Sequence, residues 1–134
     1  MTRTEARELL MKLLFQMEVQ HDYSEKSKEN YLEEHFGKGS QKKYAVQLIN
    51  AVIENLETID QKLDQNSTKR GTRHMAKVDL AIARLALAEI LYMDNIPAAV
   101  AINEAVDMTK KYGTEESGKF INGILGQIVK SKDE

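Results

Sequence analysis

The sequence predicts an all-α protein of about seven helices, arranged as two small helical bundles packed together. Three observations carry this. The 134 residues contain one proline and seven glycines, so strong helix breakers are scarce. Apolar residues recur every three or four positions almost throughout, the period of a helix face. No segment shows the alternation of a half-buried strand. The chain is long enough to bury a core unaided and reads as a single domain over residues 1–134, with an N-terminal subdomain at 1–65 and a C-terminal one at 66–134.

The first helix is expected from about Thr4 to about His21, opened by Thr2-Arg3-Thr4-Glu5 with the spacing of a capping box. A polar helix follows across SEKSKENYLEEHF and stops at Gly37 and Gly39. From Ser40 a long helix, QKKYAVQLINAVIENLETIDQKL, carries Tyr44, Leu48, Ala51, Val52, Leu56, Ile59 and Leu63 on one stripe. Asp64 to Arg73 reads as a linker with at most a turn of helix. The next segment, KVDLAIARLALAEILYM, is apolar on every side except at Asp79, Arg84 and Glu89, which marks the middle of a bundle. Pro97 suits the first turn of AAVAINEAVDMTKKYG, and Gly113 its C-terminal cap after two lysines. Thr114 then caps the last helix, with Glu115 and Glu116 complementing its N-terminal dipole.

Composition limits the function. A formal net charge of -2 gives no general support for nucleic-acid binding, so any such surface must be local. The absence of cysteine removes disulfides, thiolate metal sites and cysteine nucleophiles, and fits a reducing cytoplasm. No apolar run approaches the roughly 20 residues of a membrane span, and MTRTEARELL lacks the apolar core of a signal peptide. His21, His35 and His74 have no metal-ligand spacing, and no catalytic constellation, metal site or cofactor site emerges. GTEESGKF, residues 113–120, approximates a phosphate-binding loop, but Phe120 replaces the required hydroxyl residue and no strand precedes it. Helix punctuation is the better reading.

Two helices carry less routine signals. On the first, Arg3, Arg7, Met11, Phe15 and Val19 form an i+4 line beside the core stripe of Ala6, Leu9, Leu10, Leu13, Leu14 and Met17. Cationic and then aromatic, that line has the chemistry that holds unpaired RNA: arginines for phosphate, a ring for a base. Periodicity alone favours the plainer alternative, in which Met11, Phe15 and Val19 are buried and the arginines merely exposed. On the last helix, Gly118, Gly123 and Gly126 suggest close approach of the alanine-rich helix that carries Ala81, Ala83, Ala86 and Ala88. Asn122 is then expected to be buried with a hydrogen-bonding partner. Lys119 and Phe120 repeat the pairing of cation and ring.

Three stretches, VDLAIARLALAEIL, NIPAAVAINEAVDMTKKYG and the terminal KFINGIL, together with the N-terminal R-x-x-A-R-E-x-x-x-x-x-L-F, resemble the NusB family of transcription antitermination factors in order and spacing. The resemblance runs from about Arg3 to about Gly126. It implies a binding protein, not an enzyme. The implied partners are a small-subunit ribosomal protein, boxA-type RNA and the RNA polymerase antitermination complex, with read-through of terminators, notably in ribosomal RNA operons, as the outcome.

Position by position, it implies RNA binding by Arg3, Arg7, Phe15, Arg84, Glu116, Lys119 and Phe120, and partner binding by Asp79 and Arg84. It also turns the reading of the first helix toward an exposed, functional line. Thr4 and Glu5 stand where relatives can be basic, Arg70 and His74 where tryptophan and arginine are usual, and Leu80 where arginine is frequent. The alternative is a helical adaptor or homodimer that keeps the fold with weak or no RNA binding.

Overall fold

The computed structural model describes residues 1–67 and 71–133; Arg70 lies outside them. Among the described residues there are seven α-helices, one short 3-10 turn at Thr72–His74 and no strand. The helices are α1 (Arg3–Gln20), α2 (Glu25–Phe36), α3 (Lys42–Glu54), α4 (Leu56–Gln65), α5 (Lys77–Tyr92), α6 (Ala98–Tyr112) and α7 (Glu115–Asp133).

The N-terminal capping box forms as the sequence predicts. The Glu5 amide donates to Thr2 Oγ1 at 3.0 Å, and the Thr2 amide donates to Glu5 Oε1 at 2.8 Å. At its other end α1 stops at His21, whose φ of 53° is left-handed, and the amide of Asp22 reaches back to the Met17 carbonyl at 2.9 Å. Between the caps, Ala6, Leu10, Leu13, Leu14 and Met17 are buried, as the stripe requires, and Met11 joins them.

The long third helix of the sequence reading is two helices. At Asn55 the backbone turns to φ -120°, ψ 22°, and the side-chain amide donates to the Ala51 carbonyl at 2.8 Å. That carbonyl would otherwise face the Asn55 backbone amide, which bonds to Val52 instead at 3.2 Å. The apolar stripe survives the break: Tyr44, Leu48, Val52, Ile59 and Leu63 are all buried. After α4 the chain is held by Asp64, whose Oδ1 accepts from the Thr72 amide at 2.6 Å. A side chain at Gly71 would meet that same oxygen at 2.7 Å and would have to push the Asp64 carboxylate aside.

Helix α5 is the axis of the molecule. Every residue from Leu80 to Ile90 is buried, and α1, α3, α4, α6 and α7 all pack on it. Its length of apolar surface explains why: each Leu or Ile taken fully out of water contributes about 1.5–3 kcal/mol, and no single neighbour can cover all sides. Pro97 sits one position earlier than expected, as the cap of α6, and Gly113 closes that helix in an extended conformation. Thr114 then caps α7, accepting from the Ser117 amide at 3.1 Å while Ser117 Oγ accepts from the Thr114 amide at 3.2 Å.

The expectation for the glycines of α7 is corrected in part. Its buried stripe is Ile121, Ile124, Leu125 and Ile128, which turns Asn122, Gly123 and Gly126 to solvent. No atom lies within 4 Å of a Cβ placed at Gly123 or Gly126, and Asn122 is exposed rather than buried. Gly118 does mark a close approach, but to α6 rather than α5: its Cβ would stand 3.0 Å from Thr109 Oγ1.

Candidate nucleic-acid interface

The polar residues on the apolar helix α5 must each find a partner, because an unpaired charge in the interior is strongly unfavourable. Glu89, 1% exposed, takes Arg7. Arg7 Nε donates to Glu89 Oε1 at 2.9 Å and Nη2 to Oε2 at 2.6 Å, while the Tyr44 hydroxyl adds a bond to Oε2 at 3.0 Å. Burial works to lower the Arg7 pKa, but the bonds to Glu89 prevail and the net direction is upward. Arg7 is 3% exposed, so the expectation that it faces RNA is corrected: its guanidinium is an internal counter-ion joining α1 to α5.

Arg84 is corrected in the same way. It is 5% exposed and binds Asp60 through Nε at 2.8 Å and Nη2 at 2.7 Å. Its Nη1 reaches Glu18 at 2.6 Å and the Tyr23 hydroxyl at 2.9 Å. With four of its five N–H groups engaged inside the protein, this buried guanidinium has little left for phosphate or for a protein partner. Burial opposes its charge, the bonds to Asp60 and Glu18 more than restore it, and its pKa is raised.

The other named residues lie at the surface. Phe15 is 39% exposed and Val19 50%, so the aromatic part of the α1 line is open as the family resemblance implies. Arg3 is exposed too, but it lies over the Tyr44 ring, 3.9 Å from the centroid, and its Nε donates to Gln41 at 2.8 Å. That end of α1 is roughly 18 Å from Phe15 at ~1.5 Å per residue.

A groove of about 600 Å³ opens where the start of α5, the end of α6 and the start of α7 meet. Tyr112, Phe120, Val78 and Met75 give it apolar walls, and Asp79, Glu116, Thr114 and Ser117 give it acceptors and hydroxyls. Asp79 is fixed by Ser117, whose hydroxyl donates to Oδ2 at 2.9 Å. Its other oxygen, Oδ1, is buried with no donor among the described residues.

Two contacts on α1 bracket Phe15 and tie it to this groove. One turn before Phe15, the Lys12 ammonium stands 5.3 Å from the centroid of the Tyr112 ring. One turn after it, Glu18 lies 3.7 Å from Lys77, the neighbour of the lining residues Ala76 and Val78. Phe15 lies on α1 between these two contacts and outside the lining of the groove itself, whose α7 wall holds Phe120.

Lys119 faces elsewhere. It lines a second groove between α6 and α7, of about 590 Å³, with Lys110, Asn103 and Asn122. Thr114 borders both grooves. Tyr112 and Lys12 were not singled out by sequence reasoning, although Tyr112 stands immediately before the Gly113 cap, where a ring is carried toward the start of α7.

Comparison with known proteins agrees with this architecture. The NusB family model matches residues 4–130. The transcription antitermination protein NusB of Alkaliphilus oremlandii is 44% identical over 132 residues, covering 98% of this chain and 96% of that one. The protein of the same name from Acetivibrio thermocellus is also 44% identical, covering 98% and 91%. Among solved structures, T. maritima NusB superposes with a TM-score of 0.87 at 38% identity, over 97% of this chain and 92% of that one. A crystal structure of the antitermination factors NusB and NusE in complex with dsRNA gives a TM-score of 0.84 at 25% identity, covering 96% of each chain.

Proposed function

The chain belongs to the NusB family, and on that premise we propose that it is a cytoplasmic transcription antitermination factor, a binding protein rather than an enzyme. It holds boxA-type single-stranded RNA together with a small-subunit ribosomal protein, and so promotes read-through by RNA polymerase, notably in ribosomal RNA operons. The observation that carries the RNA reading is the groove lined by Tyr112 and Phe120, together with the exposed ring of Phe15 on α1 between two residues that contact the groove's surroundings. The two rings in the open cleft and the exposed ring of Phe15 offer stacking platforms, and hydroxyl and carboxylate groups in the cleft offer hydrogen bonds to base edges.

Phe15, Phe120 and Glu116 are the RNA-facing residues in this proposal, with Lys119 serving the strand where it leaves the cleft. The unpartnered oxygen of Asp79 supports its assignment to partner binding, since a buried carboxylate oxygen is satisfied by an incoming N–H or O–H group. Titration of a fluorescently labelled boxA RNA, with and without the ribosomal protein, tests the proposal. Preference over a scrambled strand, tightened by the partner, is the expected result. Equal binding of both strands with the partner present would favour the adaptor reading instead.

A further inference from the structure

Resting on that RNA reading, we infer that Lys12 and Lys77 are the cations that hold the phosphates of the bound strand, one on each side of Phe15. The burial of Arg7 and Arg84 raises the question. A single strand whose bases stack in the cleft brings phosphates to its rim, and the cleft walls themselves contribute Asp79 and Glu116, which repel them. The arginines that would answer this charge are turned inward onto Glu89, Asp60 and Glu18.

Three further cations are committed or remote. Lys111 is held by both oxygens of Glu8 at 3.1 Å. Arg3 is stacked on Tyr44 at the far end of α1, and Lys119 opens on the second groove.

Lys12 and Lys77 differ from these three. Among the described residues no carboxylate pairs with Lys12; its ammonium is exposed and rests near the Tyr112 ring, at the cleft edge. Lys77 is half exposed, with its side chain at 50%, and its tie to Glu18 is the longest that Glu18 makes. Arg84 at 2.6 Å and Tyr23 at 2.7 Å both bind Glu18 Oε1, and Lys77 meets only Oε2, at a long 3.7 Å with its side chain half in solvent, so it can leave for a phosphate with little loss. On α1 the two contacts fall one turn before and one turn after Phe15. A strand that stacks a base on Phe15 thus meets Lys12 on one side and, once it has left Glu18, Lys77 on the other.

The test is the salt dependence of RNA binding. For a single strand, log K falls against log salt with a slope of about 0.7 per phosphate neutralised. Lys12→Gln and Lys77→Gln are each expected to flatten the slope by about 0.7, weakening boxA and scrambled RNA alike, while Lys12→Arg and Lys77→Arg retain it. Lys26→Gln, on the exposed face of α2, serves as the charge control and should keep the wild-type slope. Thermal melts confirm that each variant is folded. If the Gln variants keep the wild-type slope while Phe15→Ala weakens binding, the phosphate assignment is overturned and the RNA reading stands. A wild-type protein that binds neither strand overturns both.

Discussion

Removing the Arg7 side chain leaves Glu89 as a buried charge, 1% exposed, with the Tyr44 hydroxyl as its remaining short contact. Arg7→Ala is therefore expected to destabilise the fold by about 3–5 kcal/mol, read as a shift in the urea unfolding curve. A loss below about 1 kcal/mol would mean that the pair is not buried as described. Glu18 gives a pH signature. Burial pushes its pKa up, the bonds from Arg84 and Tyr23 pull it down further, and the net value lies below the ordinary 4.5. Because the folded value is depressed, the stability it confers is complete above pH 4.5 and is lost as pH falls below that, through the folded value. Unfolding midpoints measured down that range should decline, and less steeply in Glu18→Gln. The need for such partners was legible in the sequence, since Arg84 and Glu89 interrupt an apolar helix. Their identities were not: Arg7 and Glu89 are 82 positions apart, and helical periodicity says nothing about which segments meet.

At the level of elements, local signals proved sufficient where the determinants were local. The Thr2–Glu5 box, the Gly113 stop and the Thr114 cap all concern residues within a few positions of one another. The break at Asn55 was missed because the apolar stripe continues in phase across it, so the period gives no warning; the signal was the asparagine side chain competing for a helix carbonyl. Gly123 and Gly126 were read as packing sites because a helix interior normally disfavours glycine. Their solvent exposure changes the expectation. Gly123→Ala and Gly126→Ala should each stabilise the protein by about 0.4–1 kcal/mol, since an added methyl meets nothing and the unfolded chain loses freedom. A drop in melting temperature for either would show that the outer face of α7 is covered. Gly118→Ala should instead destabilise, because Thr109 stands in the way.

For the molecule as a whole, α5 binds the two ends of the chain into one body. We propose residues 1–65 and 66–134 as subdomains of a single cooperative unit, since one contiguous apolar core contains residues of α1, α3 and α4 together with α5, α6 and α7. That arrangement leaves a cleft lined by Tyr112 and Phe120, and an exposed Phe15 on the first helix, on an otherwise mildly acidic protein. In the proposed function this cleft is where RNA is held. The most direct measurement is boxA RNA binding, with the ribosomal partner present, by Phe15→Ala, Phe120→Ala and the double variant, alongside their melting curves. The account predicts that Phe15→Ala, whose ring is already partly in solvent, stays folded, and that each lost ring weakens binding by about 1–3 kcal/mol. Unchanged RNA affinity in a folded double variant would contradict it.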